Sequence, residues 1–269
     1  MGDIINNGTL AFNRSDDFTL DFGFSGDGNL AQRGSNSITI ADNRDYTGST
    51  IVSSGTLILN GNLANSSVLV ESGGLLTGTG SAPELSISGA VGAESVSDVF
   101  TVNGNTTFND GSVFRALVND NGASSRLNTT GSLTIEDATL LVQTEGSEFL
   151  GQTYTIASAG DGLFGQFSNV TSEQAFIDSF ALYSDNNVTI RVFRNDRDFA
   201  DATTSANAAN AAAAIQALGI DNPLFEEALL LNSGSAEMSF ASVSGEIYGE
   251  VNNALIEESH SFQHLTSGA

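Results

Sequence analysis

A duplicated segment in the N-terminal half of the chain most constrains its fold. Between Gly48 and Gly80, Val52–Leu57 (Val-Ser-Ser-Gly-Thr-Leu) aligns with the later copy Val70–Leu75 (Val-Glu-Ser-Gly-Gly-Leu). Apolar residues alternate with polar ones within each copy, which is typical of β-strands. The Ser-Gly, Asn-Gly and Gly-Gly pairs mark turns, because glycine and asparagine tolerate positive φ. A repeat of about 20 residues built from short strands and turns predicts a β-solenoid.

The physical basis of a solenoid is that one repeat is too thin to bury its own apolar side. Repeats stacked at roughly 4.8 Å, the spacing of neighbouring strands, bury a continuous apolar column, so that each repeat is stabilised by its neighbours. A β-sandwich with a chance duplication is the alternative fold. Two facing antiparallel sheets would distinguish the sandwich from the solenoid.

The composition excludes several classes of partner. The chain has 269 residues and a formal net charge of −24, and all eight of its basic residues are arginine. This charge disfavours nucleic acids and anionic membranes, both of which require clustered cations. The absence of cysteine excludes disulfides and thiolate metal sites.

No apolar run reaches the length of about 18 residues that spans a bilayer, and Met1 is not followed by a signal peptide. We therefore expect either a cytosolic protein or part of a longer exported chain.

The composition changes from strand-rich to helix-rich near Asp198. Alanines dominate Ala200–Leu218 and predict a helix that stops at Gly219. A second helix is expected from the Asn222-Pro223 pair, with asparagine as N-cap and proline at the first position. A third is expected from about Ala236. Its apolar stripe would comprise Phe240, Val243, Ile247, Val251 and Leu255.

Several ordered motifs resemble the passenger-associated repeat of bacterial autotransporters, the type V secretion proteins. They are Gly26-x-Gly-x-Leu30, Ser37-Ile-Thr-Ile40, Asn43-x-x-Tyr46-Thr-Gly-x-Thr50 and Gly55-Thr-Leu57. The resemblance implies that the repeat residues are Tyr46, Thr50, Val52, Gly55 and Leu57, followed in the second copy by Val70, Gly73 and Leu75. It also implies a mainly β fold, a right-handed parallel β-helix with a C-terminal α-helical segment.

The later motifs resemble the end of an autotransporter stem, the region called the autochaperone. They are Gly151-x-x-Tyr154-Thr-Ile156, Gly162–Phe167 and Phe180–Val192. The implied cap residues are Tyr154, Phe164, Phe167, Phe180, Tyr183, Val188, Ile190 and Val192. Phe176 and Phe193 are expected to join the aromatic residues that seal the column from water. Such a cap is needed because an open terminal repeat exposes strand edges and apolar side chains.

Three final motifs resemble the helical connector before an autotransporter's translocating barrel: Asn222-Pro-Leu-Phe225, Ser244–Tyr248 and Ala254–Ser259. The resemblance divides the chain into a stem (1–97), a cap (98–195) and a helical connector (196–269). It implies a structural role in folding and secretion of an upstream passenger across the outer membrane to the cell surface. The implied partners are the protein's own translocator barrel and the outer-membrane assembly machinery, and self-association and host-surface contacts stay open. The alternative function is an adhesin or a carbohydrate-binding or carbohydrate-cleaving module.

The sequence offers no convincing catalytic constellation, so we expect neither enzymatic activity nor a cofactor. His260 and His264 have the i, i+4 spacing of metal ligands, with Glu257 one turn earlier, but they lie at the chain end where fraying is expected. The carboxylate candidates all lie in predicted turns, where turn chemistry explains them. They are Asp16, Asp17, Asp42, Asp45, Glu136 and Asp137. Asn119–Gly122 lacks the spaced ligands of a calcium loop and predicts an Asx-type turn.

Overall fold

The structure is a computed structural model that describes residues 4–145 and 151–245. The chain divides into two compact units. The strand unit comprises residues 4–145, 151–172 and 178–193, and the helical unit comprises residues 173–177 and 194–245. The division of the β region near residue 97 stays a prediction.

The described residues form mostly short strands, which are followed by helices. The strands are β1 (Ile4–Ile5), β2 (Thr9–Phe12), β3 (Phe18–Thr19), β4 (Phe24–Ser25), β5 (Asn29–Gln32), β6 (Ser37–Ile40), β7 (Thr50–Leu59), β8 (Val68–Thr77), β9 (Ser81–Ala82), β10 (Leu85–Ile87), β11 (Ala90–Val91), β12 (Val99–Val102), β13 (Thr106–Phe108), β14 (Val113–Asn119), β15 (Arg126–Thr129), β16 (Leu133–Ile135), β17 (Thr139–Glu145), β18 (Thr153–Ala159), β19 (Leu163–Gly165), β20 (Asn169–Ser172), β21 (Ile177–Tyr183) and β22 (Asn187–Arg194). A 3₁₀-helix (Phe199–Ala202) precedes α1 (Ala206–Gln216), α2 (Pro223–Leu229) and α3 (Ala236–Ser244).

The strands are arranged in three ladders of mostly parallel pairs. The first ladder runs β2, β5, β7, β8, β10, β13, β16, β19, and the second runs β3, β6, β7, β8, β11, β14, β17, β20. The long strands β7 and β8 each contribute one half to both ladders. The third ladder contains β1 with β4 and, further on, β9, β12, β15, β18, β22 and β21. The chain passes through the third, first and second ladders in turn, and each such passage is called a layer below. This parallel pairing contradicts the sandwich alternative, which requires facing antiparallel sheets.

The core of the strand unit consists of residues stacked in columns along the ladders. In the first ladder Val52 pairs with Val70, Val70 with Ile87, Ile87 with Phe108, and Phe108 with Ile135. All five side chains are buried, while the residue directly before each of them in its strand is partly exposed. This alternation follows from strand geometry, because successive side chains point to opposite faces.

The layers become longer along the chain, as the residues paired in the first ladder show. Early in the chain, Thr9 pairs with Asn29, and Thr50 pairs with Val68. Later, Thr106 pairs with Leu133, and Leu133 pairs with Leu163, so that partners lie further apart in the sequence. The duplicated segment predicted only the short repeat, whereas the resemblance to the end of an autotransporter stem implied larger repeats there.

A shift in register between β7 and β8 corrects the sequence alignment of the two repeat copies. Val52 pairs with Val70, as aligned, but an irregularity between Val52 and Ser54 then shifts the register by one residue. Gly55 therefore pairs with Gly74 instead of Gly73, and Leu57 pairs with buried Leu76 instead of Leu75. Gly74 suits this position, because a Cβ there would lie 2.2 Å from the Val52 carbonyl oxygen.

The helical unit begins its second and third helices where the sequence predicts. Asn222 caps α2, since its Oδ1 accepts a hydrogen bond from the Leu224 amide at 3.0 Å, and Pro223 occupies the first helical position. The Ala-rich helix is shorter than expected, because a 3₁₀-helix replaces its predicted first turns. Four buried rings form the core, where Phe199 packs on the other three: Phe176, Phe225 and Phe240.

The third helix ends earlier than the sequence predicted. Gly245 adopts φ +79, a left-handed conformation that ends α3 after Ser244. The helix therefore does not continue through Gly245 along the predicted stripe. The remaining stripe residues, Ile247, Val251 and Leu255, lie outside the described residues, as does most of Ser244–Tyr248 and all of Ala254–Ser259.

Candidate functional site

The repeat residues of the first copy form a buried polar contact inside the apolar column. Tyr46 is 1% exposed, and its hydroxyl shares a hydrogen bond with Thr50 Oγ1. Thr50 Oγ1 lies 2.8 Å from Ser66 Oγ, and the Tyr46 ring packs on Phe24 with centroids 4.5 Å apart. Burial raises the pKa of the Tyr46 phenol. This chain of hydroxyls joins two successive layers and satisfies polar groups that would otherwise be buried without partners.

The last layers of the strand unit carry a stack of aromatic rings. Phe108 and Phe114 lie 5.5 Å apart, and Phe167 packs on them at 5.7 and 6.1 Å. All three side chains are buried. The Tyr183 hydroxyl accepts a hydrogen bond from the Phe167 amide at 3.0 Å, and burial raises the pKa of the Tyr183 phenol. The hairpin β21–β22 is thereby joined to the segment between β19 and β20.

Parallel pairing in the third ladder ends where β22 joins it. Strand β22 pairs antiparallel with β18, where Ile190 faces Tyr154. Val188, Ile190 and Val192 are all buried. The Tyr154 hydroxyl donates a hydrogen bond to the Asn119 carbonyl oxygen at 2.7 Å. Burial, together with the Asp120 carboxylate, raises the pKa of Tyr154 to about 12. The reversal of strand direction ends the parallel pairing of this ladder, whereas β19 and β20, the last strands of the other two ladders, pair on one side only among the described strands. We call residues 151–172 with 178–193, together with the Phe108 and Phe114 rings on which Phe167 packs, the closed end.

The structure separates the predicted cap aromatics into buried and exposed groups. Phe167 is 7% exposed, whereas Phe164 is 56% and Phe180 is 41% exposed. Phe193 also lies at the surface, against Phe180. Phe176 is buried in the core of the helical unit. Two further rings, Phe108 and Phe114, belong to the buried stack although the sequence did not single them out as cap residues; their positions at the inward-facing sites of predicted strands were the available signal.

The opposite end of the strand unit consists of β1, β2 and β3, which we call the open end. Among the described strands, each of these three pairs on one side only, with β4, β5 and β6 respectively. Leu10 is half-buried, whereas its partner Leu30 in the next layer is 2% exposed. Phe18 and its buried partner Ile38 show the same difference.

The predicted carboxylate candidates are all exposed. Asp16 forms an ion pair with Arg14, and the hydrogen bond from that guanidinium lowers the pKa of the Asp16 carboxyl. Asp17 Oδ1 accepts a hydrogen bond from the Ser37 amide at 2.6 Å. Asp42 lies 4.0 Å from the Arg44 guanidinium. The remaining candidates, Asp45, Glu136 and Asp137, are exposed side chains in turns or loops.

The Asn119 loop is a turn, as the sequence predicted. Asn119 Oδ1 accepts hydrogen bonds from the amides of Asn121 and Ala123 at 3.1 and 3.0 Å. Gly122 has φ +79. The side-chain oxygen of the turn is therefore engaged by the backbone.

The part of the chain that the structure describes contains no cluster of three or more histidine, cysteine, aspartate or glutamate residues that could hold a metal ion. The candidate ligands His260, His264 and Glu257 lie outside that part. None of the helices in the described part of the chain is long and apolar enough to cross a membrane.

Sequence comparisons find two relatives of this chain that are named as extracellular proteins. No family model matches the chain. Two proteins of Serratia marcescens, each named "Extracellular serine protease", are 29% identical over 244 residues and 25% identical over 245 residues. Each match covers 85% of this chain but only 23% of the relative. The Escherichia coli (strain K12) protein named "Uncharacterized protein YuaQ" is 31% identical over 132 residues, which cover 46% of this chain and 10% of that protein. The chain thus spans about a quarter of the length of the Serratia relatives.

Proposed function

We propose that this chain is the structural stem of a larger extracellular protein of the autotransporter type. The strand unit is a right-handed parallel β-helix whose closed end acts as an autochaperone. The helical unit is the connector to a translocator barrel. In this role the chain supports folding and outer-membrane secretion of a passenger that precedes it, and it is not itself an enzyme.

The closed end is the single observation that carries this proposal. A nucleus that folds first needs more local stabilisation than the layers that follow it. The stacked rings of Phe108, Phe114 and Phe167 bury large apolar area, worth about 25 cal/mol per Å². The antiparallel pairing of β22 with β18 ends the parallel run of the third ladder at this end. Folding from this end would add layers one by one, and each added layer would oppose return of the chain through the membrane.

Two further observations support the proposal. The regular passage through three ladders fits a β-helix, and the strong preference of parallel crossovers for the right hand supports its handedness. The Serratia relatives are named as extracellular proteins and are much longer than the part that matches, which supports a stem placed within a larger secreted chain. Their protease activity would then belong to the part of them that this chain does not match.

The test uses two phenylalanines three residues apart in the full-length protein, Phe164 in β19 and Phe167 in the connection that follows it. We expect Phe167→Asp to lower surface display several-fold, because it places an unpaired charge beneath the aromatic stack. Phe164→Asp is the matched control, since this ring is exposed and should tolerate the charge. Display is measured by antibody binding and protease accessibility on intact cells.

A second comparison separates the autochaperone role from general destabilisation. Phe24→Asp introduces the same charge at a buried ring near the open end, and we expect it to reduce display less than Phe167→Asp. Equal display of the Phe167→Asp variant and the wild type would overturn the proposal. Undiminished display after deletion of residues 100–192 would overturn it as well.

The adhesin or carbohydrate-active alternative lacks a favouring observation in the described residues. The polar groove that crosses successive layers is lined by Asn43, Asn60, Gly61, Asn62, Thr79, Gly80, Ser81, Thr101 and Asn103. Its lining contains no aromatic ring on which a sugar would stack. The Asn43 and Asn60 side-chain oxygens accept hydrogen bonds from the amides of Asn62 and Thr79 in the next layer. A reproducible hit on a glycan array would revive this alternative.

A further inference from the structure

We propose that the free edge of β21 is a docking surface for a second copy of this chain, whose own β21 pairs with it antiparallel. Strand β21 (Ile177–Tyr183) is the outermost strand of the third ladder, because it pairs with β22 alone among the described strands. The pairing would join two copies through one continuous sheet. This interface goes beyond the proposed role in secretion, which neither requires it nor excludes it.

The edge of β21 lacks the features that usually protect the edge of a sheet. Exposed edges are normally very short, or they carry proline, a bulge or charged side chains. Strand β21 has seven residues, contains no proline or lysine, and has one charged residue, Asp178, near its beginning. Every other strand that pairs on one side only among the described strands has two to four residues. The β21 edge is therefore the longest template for further pairing in the described part of the chain.

The outer face of the β21–β22 hairpin is apolar beside this edge. Phe180 is 41% exposed and Leu182 is 48% exposed, and both point to the same face because they are two residues apart in one strand. Phe193 of β22 is 37% exposed and packs on Phe180, with ring centroids 5.7 Å apart. Single exposed apolar residues are common on protein surfaces, whereas adjoining ones mark interaction sites. A strand placed beside β21 would cover Phe180 and Leu182 with its own outward side chains.

The charge of the hairpin favours a second copy as the occupant. The whole chain has a formal net charge of −24, and such a charge keeps copies of a protein apart. The hairpin instead has equal numbers of acidic and basic residues, namely Asp178, Asp185, Arg191 and Arg194. Two copies can therefore approach at this surface with less repulsion than the charge of the whole chain would impose.

The hydrogen bonds of the hairpin determine which residues would face each other. The Ser184 amide donates a hydrogen bond to the Asn187 carbonyl oxygen at 3.0 Å, next to the turn. Because every second residue of an antiparallel strand bonds to its partner, the backbone groups of Ala181 point away from β22. A two-fold axis at Ala181 would let the two copies exchange hydrogen bonds there. It would also place Phe180 opposite Leu182 of the second copy. This pairing is closed, because each copy uses its single β21 edge.

The first measurement is sedimentation velocity of the 269-residue chain over a range of concentrations. A contact made by one strand of each copy is smaller than the roughly 1,200 Å² at which stable interfaces begin, so we expect a dimer with a dissociation constant of about 10–100 μM. Added salt should strengthen this dimer, because it screens the repulsion between two acidic chains.

Two substitutions at the edge test the contact. Ala181→Pro removes the amide hydrogen at the centre of the pairing and should abolish the dimer. It should leave the urea midpoint nearly unchanged, because that amide does not bond to β22. Phe180→Lys should raise the dissociation constant at least about tenfold. Phe164→Lys is the matched control and should leave the constant unchanged, because Phe164 is 56% exposed but lies in β19, outside the hairpin.

A mixture of two variants tests the register. Phe180→Lys and Leu182→Glu should each weaken self-association, whereas a mixture of the two should associate again, because the new lysine of one copy would face the new glutamate of the other. A mixture that stays monomeric would contradict the pairing about Ala181.

Two results of these measurements would overturn the interface. The first is a wild-type chain that stays monomeric at high salt and at concentrations well above the expected dissociation constant, which would leave the edge to a different protein. The second is a dimer that both Ala181→Pro and Phe180→Lys leave intact, because the contact would then lie elsewhere. Loss of surface display in Phe167→Asp would stand in either case, because display tests the aromatic stack and not the β21 edge.

Discussion

The open and closed ends of the strand unit are built from the same ladders but finish them differently. At the open end the layers are short, as the pairing of Thr9 with Asn29 shows, and the apolar side chains of the first layer are half-buried. At the closed end the layers are longer, as the pairing of Leu133 with Leu163 shows. An antiparallel strand and the buried ring of Phe167 finish the stack there.

The two ends therefore differ in how completely their apolar side chains are buried. Phe12 and Phe18 begin the columns of the first and second ladders and are only half-buried, whereas Phe108 and Phe114 lie further along the same columns and are buried. Because a buried ring removes more apolar surface from water, the part of the strand unit around Phe167 is the more stable one by this argument. At the open end, β1, β2 and β3 each pair on one side only among the described strands.

The strongest predicted change tests this difference in stability. Phe108→Ala should lower the free energy of unfolding by about 3–5 kcal/mol, because it removes a fully buried ring that contacts two others. Phe12→Ala at the open end is the matched change and should cost about 1 kcal/mol, since this ring is only half-buried. Urea unfolding of both variants measures the two values. Equal losses would remove the stability difference between the ends.

A weaker change tests how closely the backbones approach at each end. A Cβ at Gly160 would lie 2.1 Å from the Thr130 carbonyl oxygen. Gly160→Ala should therefore cost about 1–3 kcal/mol through overpacking. Gly8→Ala in the 269-residue chain should be neutral, because that site is open. A neutral Gly160→Ala would show that the layers can move apart at little cost and would weaken the description of this end as tightly closed.

The weakest predicted change concerns the hydrogen bond of Tyr154. Tyr154→Phe should cost about 1 kcal/mol at neutral pH, because the Asn119 carbonyl loses its donor. The pKa of Tyr154 is raised to about 12, above the ordinary value near 10. The protonated Tyr154 phenol contributes fully to the free energy of unfolding below about pH 10. This contribution is lost as the pH rises from about 10 to about 12, because the phenol then ionises.

The measurement for Tyr154 is the free energy of unfolding as a function of pH. The wild type should lose stability more steeply than Tyr154→Phe between about pH 10 and pH 12, so that the two curves converge. Parallel curves across this window would show that ionisation of the Tyr154 phenol does not change the free energy of unfolding.

Much of the fold could be predicted from local patterns, and the exceptions have a common cause. The short repeat, the strand alternation and the cap at Asn222 were all predictable, because each depends on neighbours in sequence. The register beyond Val52 was not predictable, since one irregular residue moves the partner of Leu57 from Leu75 to Leu76. A one-residue shift exchanges the faces of a strand, and the choice depends on burial in the whole stack.

The candidate site shows the same limit. The sequence placed aromatic residues near the end of the β region, but it treated Phe164 and Phe167 alike. The structure exposes the first and packs the second on Phe108 and Phe114, which belong to earlier layers of the chain. The side chain alone cannot distinguish them, because both are phenylalanine in the same segment.

Three properties follow from the amino-acid sequence alone: the acidic surface, the repeat of short strands with glycine turns, and the change to helices near Asp198. They depend on residue charge, on the alternation of side chains along a strand and on local capping. The choice of pairing partners and the burial of particular rings arise only in the folded molecule. Those choices depend on side chains brought together from different layers, where shape and burial outweigh local preference.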